Sequence, residues 1–194
     1  MSTTVEFIAM NNSNSQSVLK FSKKIVLDPS MFQHDEAILL CGGANNLKTC
    51  LILQGDKWTE YNFLKEERTN AAVVSTNTAT FLFGGDKGGD TYEYLEKNAS
   101  EWKRGETKIP GLFGFYHGCS IAISDDEIWL IGGHRPLGIS TPRILSFNVN
   151  NQKFTKLPTK LKHGRHGHKC AFIPETRNII VTGGSSLFVD EYDY

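Results

Sequence analysis

The stretch Glu127-Ile128-Trp129-Leu130-Ile131-Gly132-Gly133 decides the fold, because its pattern of a short apolar run before two glycines occurs four times. The other copies end in the pairs Gly42-Gly43, Gly84-Gly85 and Gly183-Gly184. The first glycines of successive pairs are 42, 48 and 51 residues apart. A period of roughly 50 residues built from short strands is typical of β-propeller blades. Glycine hairpin turns in a β-sandwich are the alternative, although a sandwich needs no regular period.

Further positions repeat around each glycine pair. The position fifteen residues before the first glycine holds Thr69, His117 and His168. The position twelve residues before it holds the small residues Ala72, Ser120 and Ala171. After the first three pairs, a second strand-like run leads through polar turn residues to a large aromatic residue, namely Trp58, Trp102 and Phe154. We expect these aromatic side chains to fill the gaps between blades, with both tryptophans largely buried.

The fourth copy begins with Arg165-His166-Gly167-His168 and ends in Tyr192-Asp193. Together with the glycine pairs and the aromatic residues after them, these residues resemble the Kelch repeat family over roughly residues 36 to 194. Gly114 stands where the family has arginine, Phe154 where it has tryptophan and Thr69 where it has histidine. The resemblance implies an all-β, Kelch-type β-propeller of about four blades that binds other proteins, as an adaptor or substrate-recognition module does.

The repeat divides the chain into an N-terminal segment, 1–33, and repeats at 34–64, 65–108, 109–160 and 161–194, the last one incomplete. Two interpretations follow for the whole. The chain is a partial propeller that forms an open arc, or an N-terminal strand near residues 18–21 pairs with the last blade and closes a small ring. Residues 25–27 are a second candidate strand with no place in the repeat.

Charge argues against nucleic acid and membrane surfaces as partners. The 194 residues contain 21 Lys and Arg and 21 Asp and Glu, so the formal net charge is zero, whereas both partners require concentrated positive charge. The longest apolar run, at about residues 37–41, is far shorter than the roughly 20 residues of a membrane-spanning helix.

The cysteines bear on the cellular compartment. All four are far apart and form no Cys-x-x-Cys motif: Cys41, Cys50, Cys119 and Cys170. The N-terminus does not resemble a secretory signal, since Glu6 interrupts its short apolar run. We therefore interpret the cysteines as reduced thiols and expect a cytoplasmic protein. Because no secretory signal is recognised, we interpret the glycosylation sequon Asn98-Ala99-Ser100 as a chance occurrence.

Histidines are the strongest candidates for metal chemistry. His166 and His168 have the spacing that places two side chains on one face of a strand, and His117 could join them from the neighbouring blade. No Asp or Glu completes a local ligand set, and the Kelch family often has a structural histidine at this repeat position. The sequence therefore predicts no metal site and no cofactor.

An enzyme of Kelch architecture is the alternative function, because some copper-radical oxidases and sugar mutarotases resemble this fold. A copper-radical site needs a cysteine linked to a tyrosine, and Tyr116 lies near Cys119. Cys119 and Cys170 both stand thirteen residues before a glycine pair, so we interpret them as small core residues. The acidic groups at 35–36 and 125–127 precede strands and are interpreted as solvated turn residues. We therefore assign no catalytic residues.

The best function is a protein-interaction module, since loops on one propeller face carry recognition. In Kelch adaptors of cullin ubiquitin ligases, the loops after the glycine pair and before the inner strand contact the partner. Carried over by position, this resemblance implies a binding surface that includes Phe113, Tyr116, His134, Arg135, His163, Arg165 and His166. Exposed aromatic and arginine side chains often dominate interfaces, which favours Phe113, Tyr116, Arg135 and Arg165 as the main contacts. The sequence does not establish a ubiquitin-ligase or cytoskeletal partner.

Overall fold

The computed structural model describes residues 4–7, 17–20, 29–44, 47–55, 57–111, 115–134 and 139–186, the first two ranges as backbone only. These residues form β-strands and no helix, which confirms the all-β class. Within the same residues there is thus no helix capable of crossing a membrane. In chain order the strands are β1 (Thr4–Phe7), β2 (Ser17–Lys20), β3 (Ser30–His34), β4 (Ala37–Cys41), β5 (Thr49–Gln54), β6 (Lys57–Phe63), β7 (Ala72–Ser75), β8 (Ala79–Phe83), β9 (Tyr92–Glu96), β10 (Lys103–Arg104), β11 (Cys119–Ala122), β12 (Glu127–Ile131), β13 (Ile144–Asn148), β14 (Lys153–Lys156), β15 (Lys169–Ile173) and β16 (Asn178–Thr182).

Consecutive strands form antiparallel sheets. The first sheet contains β3 to β6, the second β7 to β10 and the third β11 to β14, each in chain order. The described part of the fourth sheet contains β15 and β16. The first strands of neighbouring sheets contact each other, β3 with β7, β7 with β11 and β11 with β15. The sheets are therefore stacked face to face along a line of first strands, an arrangement that fits a propeller-like class.

The N-terminal region differs from the predicted division of the chain. The first sheet begins at Ser30, inside the segment 1–33 that the sequence analysis placed outside the repeats. The first strand of this sheet alternates between buried and exposed residues, as a strand with one buried face does. Two of its three buried residues, Ser30 and His34, are polar, so the sequence does not show the alternation of apolar and polar residues that predicts a strand. The candidate strand near residues 18–21 corresponds to β2, which pairs with β1. Residues 25–27 and 187–194 lie outside the described residues.

Three apolar cores fill the spaces between adjacent sheets. Because successive strand residues point to opposite faces, each middle sheet contributes one face to each neighbour. The core between the first and second sheets includes Phe32, Leu39, Leu82, Leu95 and Trp102. The core between the second and third includes Phe81, Phe83, Tyr92, Leu130 and Phe147, and the core between the third and fourth includes Ile131, Ile144, Ile179 and Val181. Full burial of one such side chain contributes about 1.5–3 kcal/mol.

The three repeated aromatic residues occupy equivalent places but differ in burial. Trp102 is 1% exposed in the core between the first and second sheets, as predicted. Phe154 packs partly buried against the core between the second and third sheets. Trp58 is less completely buried than Trp102, but most of its surface is covered, which agrees with the prediction. Trp58 is opposite Leu53, on the face of the first sheet that points away from the second.

The glycine pairs are the points at which adjacent sheets meet. All eight glycines have positive φ, which a side chain would strain. In the first three pairs, the amide of the second glycine donates a hydrogen bond to a carbonyl just before the next sheet: Gly43 to Arg68 (2.8 Å), Gly85 to Phe115 (2.9 Å) and Gly133 to Arg165 (2.8 Å). A Cβ on Gly84 would lie 1.9 Å from the Phe115 carbonyl oxygen. The repeated pairs therefore permit the close contact between neighbouring sheets.

The cysteines form two disulfides, so their interpretation as reduced thiols is wrong. Cys41 and Cys50 are opposite each other on β4 and β5, within the first sheet. Cys119 and Cys170 join β11 to β15, and therefore join the third sheet to the fourth. The cytoplasmic location stays a prediction, but it loses the support that reduced cysteines gave it.

The alignment of Cys119 with Cys170 is also wrong, for a geometric reason. Cys119 pairs with Ile131, the residue directly before its glycine pair, whereas Cys170 pairs with Val181, two residues before the next pair. The two cysteines are thus one strand position apart in structural register. Since one position reverses the direction of a side chain, both sulfur atoms point into the same gap between sheets.

Candidate partner-binding face

The loops after the glycine pairs and those before the first strands lie at one end of the sheets, here called the loop face. In each of the last three sheets an isolated β-bridge joins the two loops: Thr69 to Asp86, Tyr116 to His134 and His166 to Ser185. The bridges show that Thr69, Tyr116 and His166 are structurally equivalent. Counting fifteen residues back from each glycine pair had instead aligned Thr69 with His117 and His168. The reason is that the hairpin of the first two strands lengthens by one residue from the second sheet to the third, and again to the fourth.

Four aromatic rings meet on the loop face, and we call Tyr116, His117, His134 and His166 the histidine cluster. His134 is the central ring: Tyr116 stacks on it at 5.5 Å between ring centroids and His117 at 5.0 Å. His166 of the fourth sheet approaches His134 edge-on at 5.0 Å. The loops of the third and fourth sheets thus bring together residues that are up to 50 positions apart in the sequence.

Hydrogen bonds orient the rings of the histidine cluster. His117 Nε2 is 3.3 Å from Asp86 Oδ2, which also accepts a bond from the Thr69 hydroxyl at 3.0 Å. His166 Nδ1 is 2.8 Å from the Ser140 hydroxyl oxygen. The Gly167 amide donates to the His117 carbonyl at 2.7 Å, which connects the loops of the third and fourth sheets.

Burial favours the uncharged forms of two side chains in the histidine cluster, those of His166 and Tyr116. Desolvation lowers the pKa of His166, and the neighbouring His134 and His117 lower it further. Desolvation raises the pKa of Tyr116, with added effects from the Asp86 and Asp90 carboxylates. The cluster therefore presents aromatic rings and hydrogen-bonding nitrogens beside the Asp86 side chain, and burial favours the uncharged form of two of its rings.

His166 and His168 do not share a strand face. Gly167 lies between them with a φ of 66°, and β15 begins only at Lys169. His168 is 2% exposed and packs against Gly132, where an added Cβ would lie 2.6 Å from its Cε1 atom. In the part of the chain that the structure describes, no group of three or more His, Cys, Asp or Glu side chains is arranged to hold a metal ion.

The residues predicted to bind a partner differ in where the structure places them. Tyr116, His134 and His166 come together in the histidine cluster, and His163 is exposed nearby in the sequence. Phe113 and Arg135 lie outside the described residues. Arg165 instead has a structural contact, because its guanidinium donates to the Gly183 carbonyl at 3.0 Å, as Arg68 donates to the Gly84 carbonyl at 2.8 Å.

Arg68 shows the structural role of this repeat position in full. Its side chain is 1% exposed and its Nε is 2.9 Å from an Oε1 atom of Glu93, which is 0% exposed. Desolvation lowers the pKa of Arg68, while the adjacent carboxylate of Glu93 opposes that effect. The Glu93 carboxylate also accepts bonds from the amides of Lys65 (2.6 Å) and Glu66 (2.8 Å). Such a buried pair holds the loop between the first and second sheets in place.

The opposite end of the sheets is here called the hairpin face. Two acidic residues of this face accept hydrogen bonds from neighbouring sheets. Asp125 accepts hydrogen bonds from the amide (3.2 Å) and the side chain (2.7 Å) of Asn77 in the preceding sheet. Asp35 accepts a bond from the Asn98 amide at 3.1 Å in the following sheet. The interpretation of these acids as merely solvated is therefore wrong, because they connect hairpins of neighbouring sheets.

Two residues beside the histidine cluster were missed. Asp86 occupies the position directly after its glycine pair, as His134 does, so comparing that position between repeats would have found it. Ser140 has no counterpart in the other repeats and carries no sequence signal. It reaches His166 only because the third and fourth sheets pack together.

Comparisons with known proteins support the fold. No protein-family model and no curated protein matches the chain. Among solved structures 146 chains match, including one described as "Structure of YjhT", with a TM-score of 0.75 and 13% sequence identity. The match covers 91% of this chain and 64% of that one, so this chain spans less than two thirds of its length. At such low identity the likeness shows the fold alone.

Proposed function

We propose that the chain is a non-catalytic, Kelch-type β-propeller module that binds another protein through its loop face. The blade assignment rests on three consecutive four-stranded sheets that follow the glycine period. It also rests on the three hydrogen bonds, each from a second glycine to the next sheet, that recur at equivalent positions. A β-sandwich accounts less well for this repetition, since it has two facing sheets rather than a series.

The observation that carries the proposed function is the histidine cluster. Residues from the third and fourth sheets form it, with Asp86 of the second sheet against it, so its shape depends on the packing of three sheets. Tyrosine is among the residues that most often dominate interfaces, because its ring gives a large contact area and few rotatable bonds are fixed on binding. The stack on His134 holds the Tyr116 ring in place before a partner arrives, which reduces the entropic cost of binding.

Charge has a small part in this interface. The chain has no formal net charge, and burial lowers the pKa of His166, which favours its uncharged form. Contacts of this kind stabilise a complex by packing and short-range hydrogen bonds, which salt screens less than long-range attraction. We therefore expect partner binding to change little between low and physiological ionic strength.

The test compares two substitutions at opposite ends of the sheets. The full chain is immobilised and proteins retained from a cell extract are quantified by mass spectrometry, with Tyr116→Ala/His134→Ala as the loop-face variant. Lys97→Ala, at an exposed turn of the hairpin face, is the matched control. Loss of two central contacts at about 1–2 kcal/mol each predicts at least a tenfold loss of retention, with no change for the control. Equal retention by both variants, at unchanged circular dichroism, would contradict the proposal.

The same cluster gives the second candidate, a Kelch-fold enzyme, one point of support. The His166 imidazole lies within hydrogen-bond distance of the Ser140 hydroxyl, and the His117 imidazole lies within hydrogen-bond distance of the Asp86 carboxylate. Imidazole and carboxylate groups can accept a proton in general acid–base catalysis. The copper-radical form of this candidate is disfavoured, because the sulfur of Cys119 is bonded to Cys170 and is not free to join Tyr116. The mutarotase-like form predicts faster interconversion of sugar anomers in polarimetry, abolished by His166→Ala; no acceleration with a panel of free sugars favours the binding module.

A further inference from the structure

Asn98 and Ser100 lie at an exposed turn of the hairpin face, between β9 and β10. Asn98 has a φ of 60°, and the Ala99 amide donates to the Glu96 carbonyl at 3.1 Å, which closes the turn. Asparagine tolerates this left-handed conformation better than most residues. Both residues are exposed, and neither side chain makes a hydrogen bond within the described part of the chain.

The backbone of this turn is held while its side chains are left exposed. The Tyr61 hydroxyl donates to the Ala99 carbonyl at 3.2 Å, and the Asn62 side chain donates to the Ser100 carbonyl at 2.7 Å. A large group on the Asn98 side chain would thus extend into solvent without displacing any of these contacts. The residue between Asn98 and Ser100 is alanine, which an Asn-x-Ser glycosylation sequon allows and proline would not.

The pairing of all four cysteines is an independent observation about the compartment. Disulfides persist in secretory and extracellular environments and are rare where glutathione keeps thiols reduced. Asn-x-Ser sequons of eukaryotic proteins are modified in such a compartment. The interpretation of the sequon as chance rested on the lack of a recognisable secretory signal, whereas the two disulfides point independently to a compartment in which sequons are modified.

We propose that Asn98 is an N-glycosylation site, and that the chain acquires this glycan in the oxidising compartment in which its cysteines pair. The co-substrate is an oligosaccharide carried on a lipid pyrophosphate. The Asn98 Nδ2 atom forms a bond to the anomeric carbon of the first sugar, and the bond from that carbon to the phosphate oxygen breaks. The lipid pyrophosphate leaves with the electron pair, and Nδ2 loses one proton to a base of the transferase.

The location of Asn98 is compatible with partner binding. The turn at Asn98 follows β9 at the hairpin face, whereas the glycine pairs and the histidine cluster lie at the loop face, the opposite end of the sheets. A glycan there leaves the loop face free and covers the junction of the first two sheets. This inference does not depend on the proposed function.

The experiment uses the full chain, made in cultured animal cells with an added secretion leader, and in parallel without one. Asn11→Gln is present throughout, because Asn11-Asn12-Ser13 is a second sequon and lies outside the described residues. Ser100→Ala is the main variant, since it leaves Asn98 and its turn unchanged, and Ser100→Thr is its matched control. The measurements are intact mass before and after peptide N-glycosidase treatment, and thiol labelling under denaturing, non-reducing conditions.

We expect the secreted chain to carry one glycan, which the glycosidase removes with conversion of Asn98 to aspartate. Ser100→Ala abolishes the glycan and Ser100→Thr keeps it, while both secreted variants show no free thiols. The copy without a leader is expected to show four free thiols and a lower melting temperature. Secreted, folded protein that is unmodified at Asn98 overturns the assignment of the site. A leaderless copy that is as stable as the secreted one, with four free thiols, overturns the assignment of the compartment.

Discussion

The disulfide between Cys119 and Cys170 should be the larger of the two covalent contributions to stability. It closes a loop with a sequence separation of 51 and joins two different sheets, whereas Cys41 and Cys50 are separated by 9 within one sheet. In the chain-entropy account the stabilisation grows with the logarithm of loop length. That relation gives about 4 kcal/mol for the longer loop and about 2.6 kcal/mol for the shorter one at 25 °C.

The assay is urea unfolding of three proteins under non-reducing conditions: the parent chain, Cys119→Ala/Cys170→Ala and Cys41→Ala/Cys50→Ala. Each substitution removes both partners, so no unpaired thiol remains at the site. We expect the first variant to lose about 1.5 kcal/mol more of the free energy of unfolding than the second. Equal losses, or a larger loss for the variant at Cys41 and Cys50, would refute this reasoning from loop length.

Three further predictions concern acid stability, packing and metal content. Burial is the main cause of the lowered pKa values of His34, His166 and His168. The unfolded chain therefore binds more protons below the usual value of 6.5, so the free energy of unfolding should be constant above that pH and fall as the pH drops through the lowered values. Denaturant midpoints between pH 8 and pH 5 test this, and a midpoint that rises toward pH 5 would count against it. Trp102→Ala should cost about 3–5 kcal/mol in urea unfolding, and Trp58→Ala should cost less because Trp58 is less completely buried; equal losses would mean that both rings pack alike. Elemental analysis of the purified chain should find no stoichiometric zinc or copper, and one tightly held metal per chain would favour the enzyme alternative.

The loop face could be predicted only in part. Tyr116, His134 and His166 were found because loops after the glycine pairs and before the first strands can be located from the period alone. Asp86 was missed although it follows a glycine pair, because its role depends on His117 of the next sheet. Arg165 was assigned to the partner, and this stays a prediction; the structure adds that its guanidinium, like that of the equivalent Arg68, donates to a glycine carbonyl of its own sheet.

The sequence by itself determined the all-β class, the glycine pairs at the ends of second strands, and the burial of Trp102. These features are local or periodic, since an apolar run, a residue that tolerates positive φ and a spaced aromatic can all be read along one strand. Only the tertiary structure decided which residues face one another across sheets. Cys119 and Cys170 illustrate the reason: counting from the glycines gives them the same position, yet longer hairpins shift the register by one residue. A shift of one residue reverses the direction in which a side chain points. Because the fourth hairpin is one residue longer than the third, Cys119 and Cys170 face each other and form a disulfide instead of occupying equivalent places.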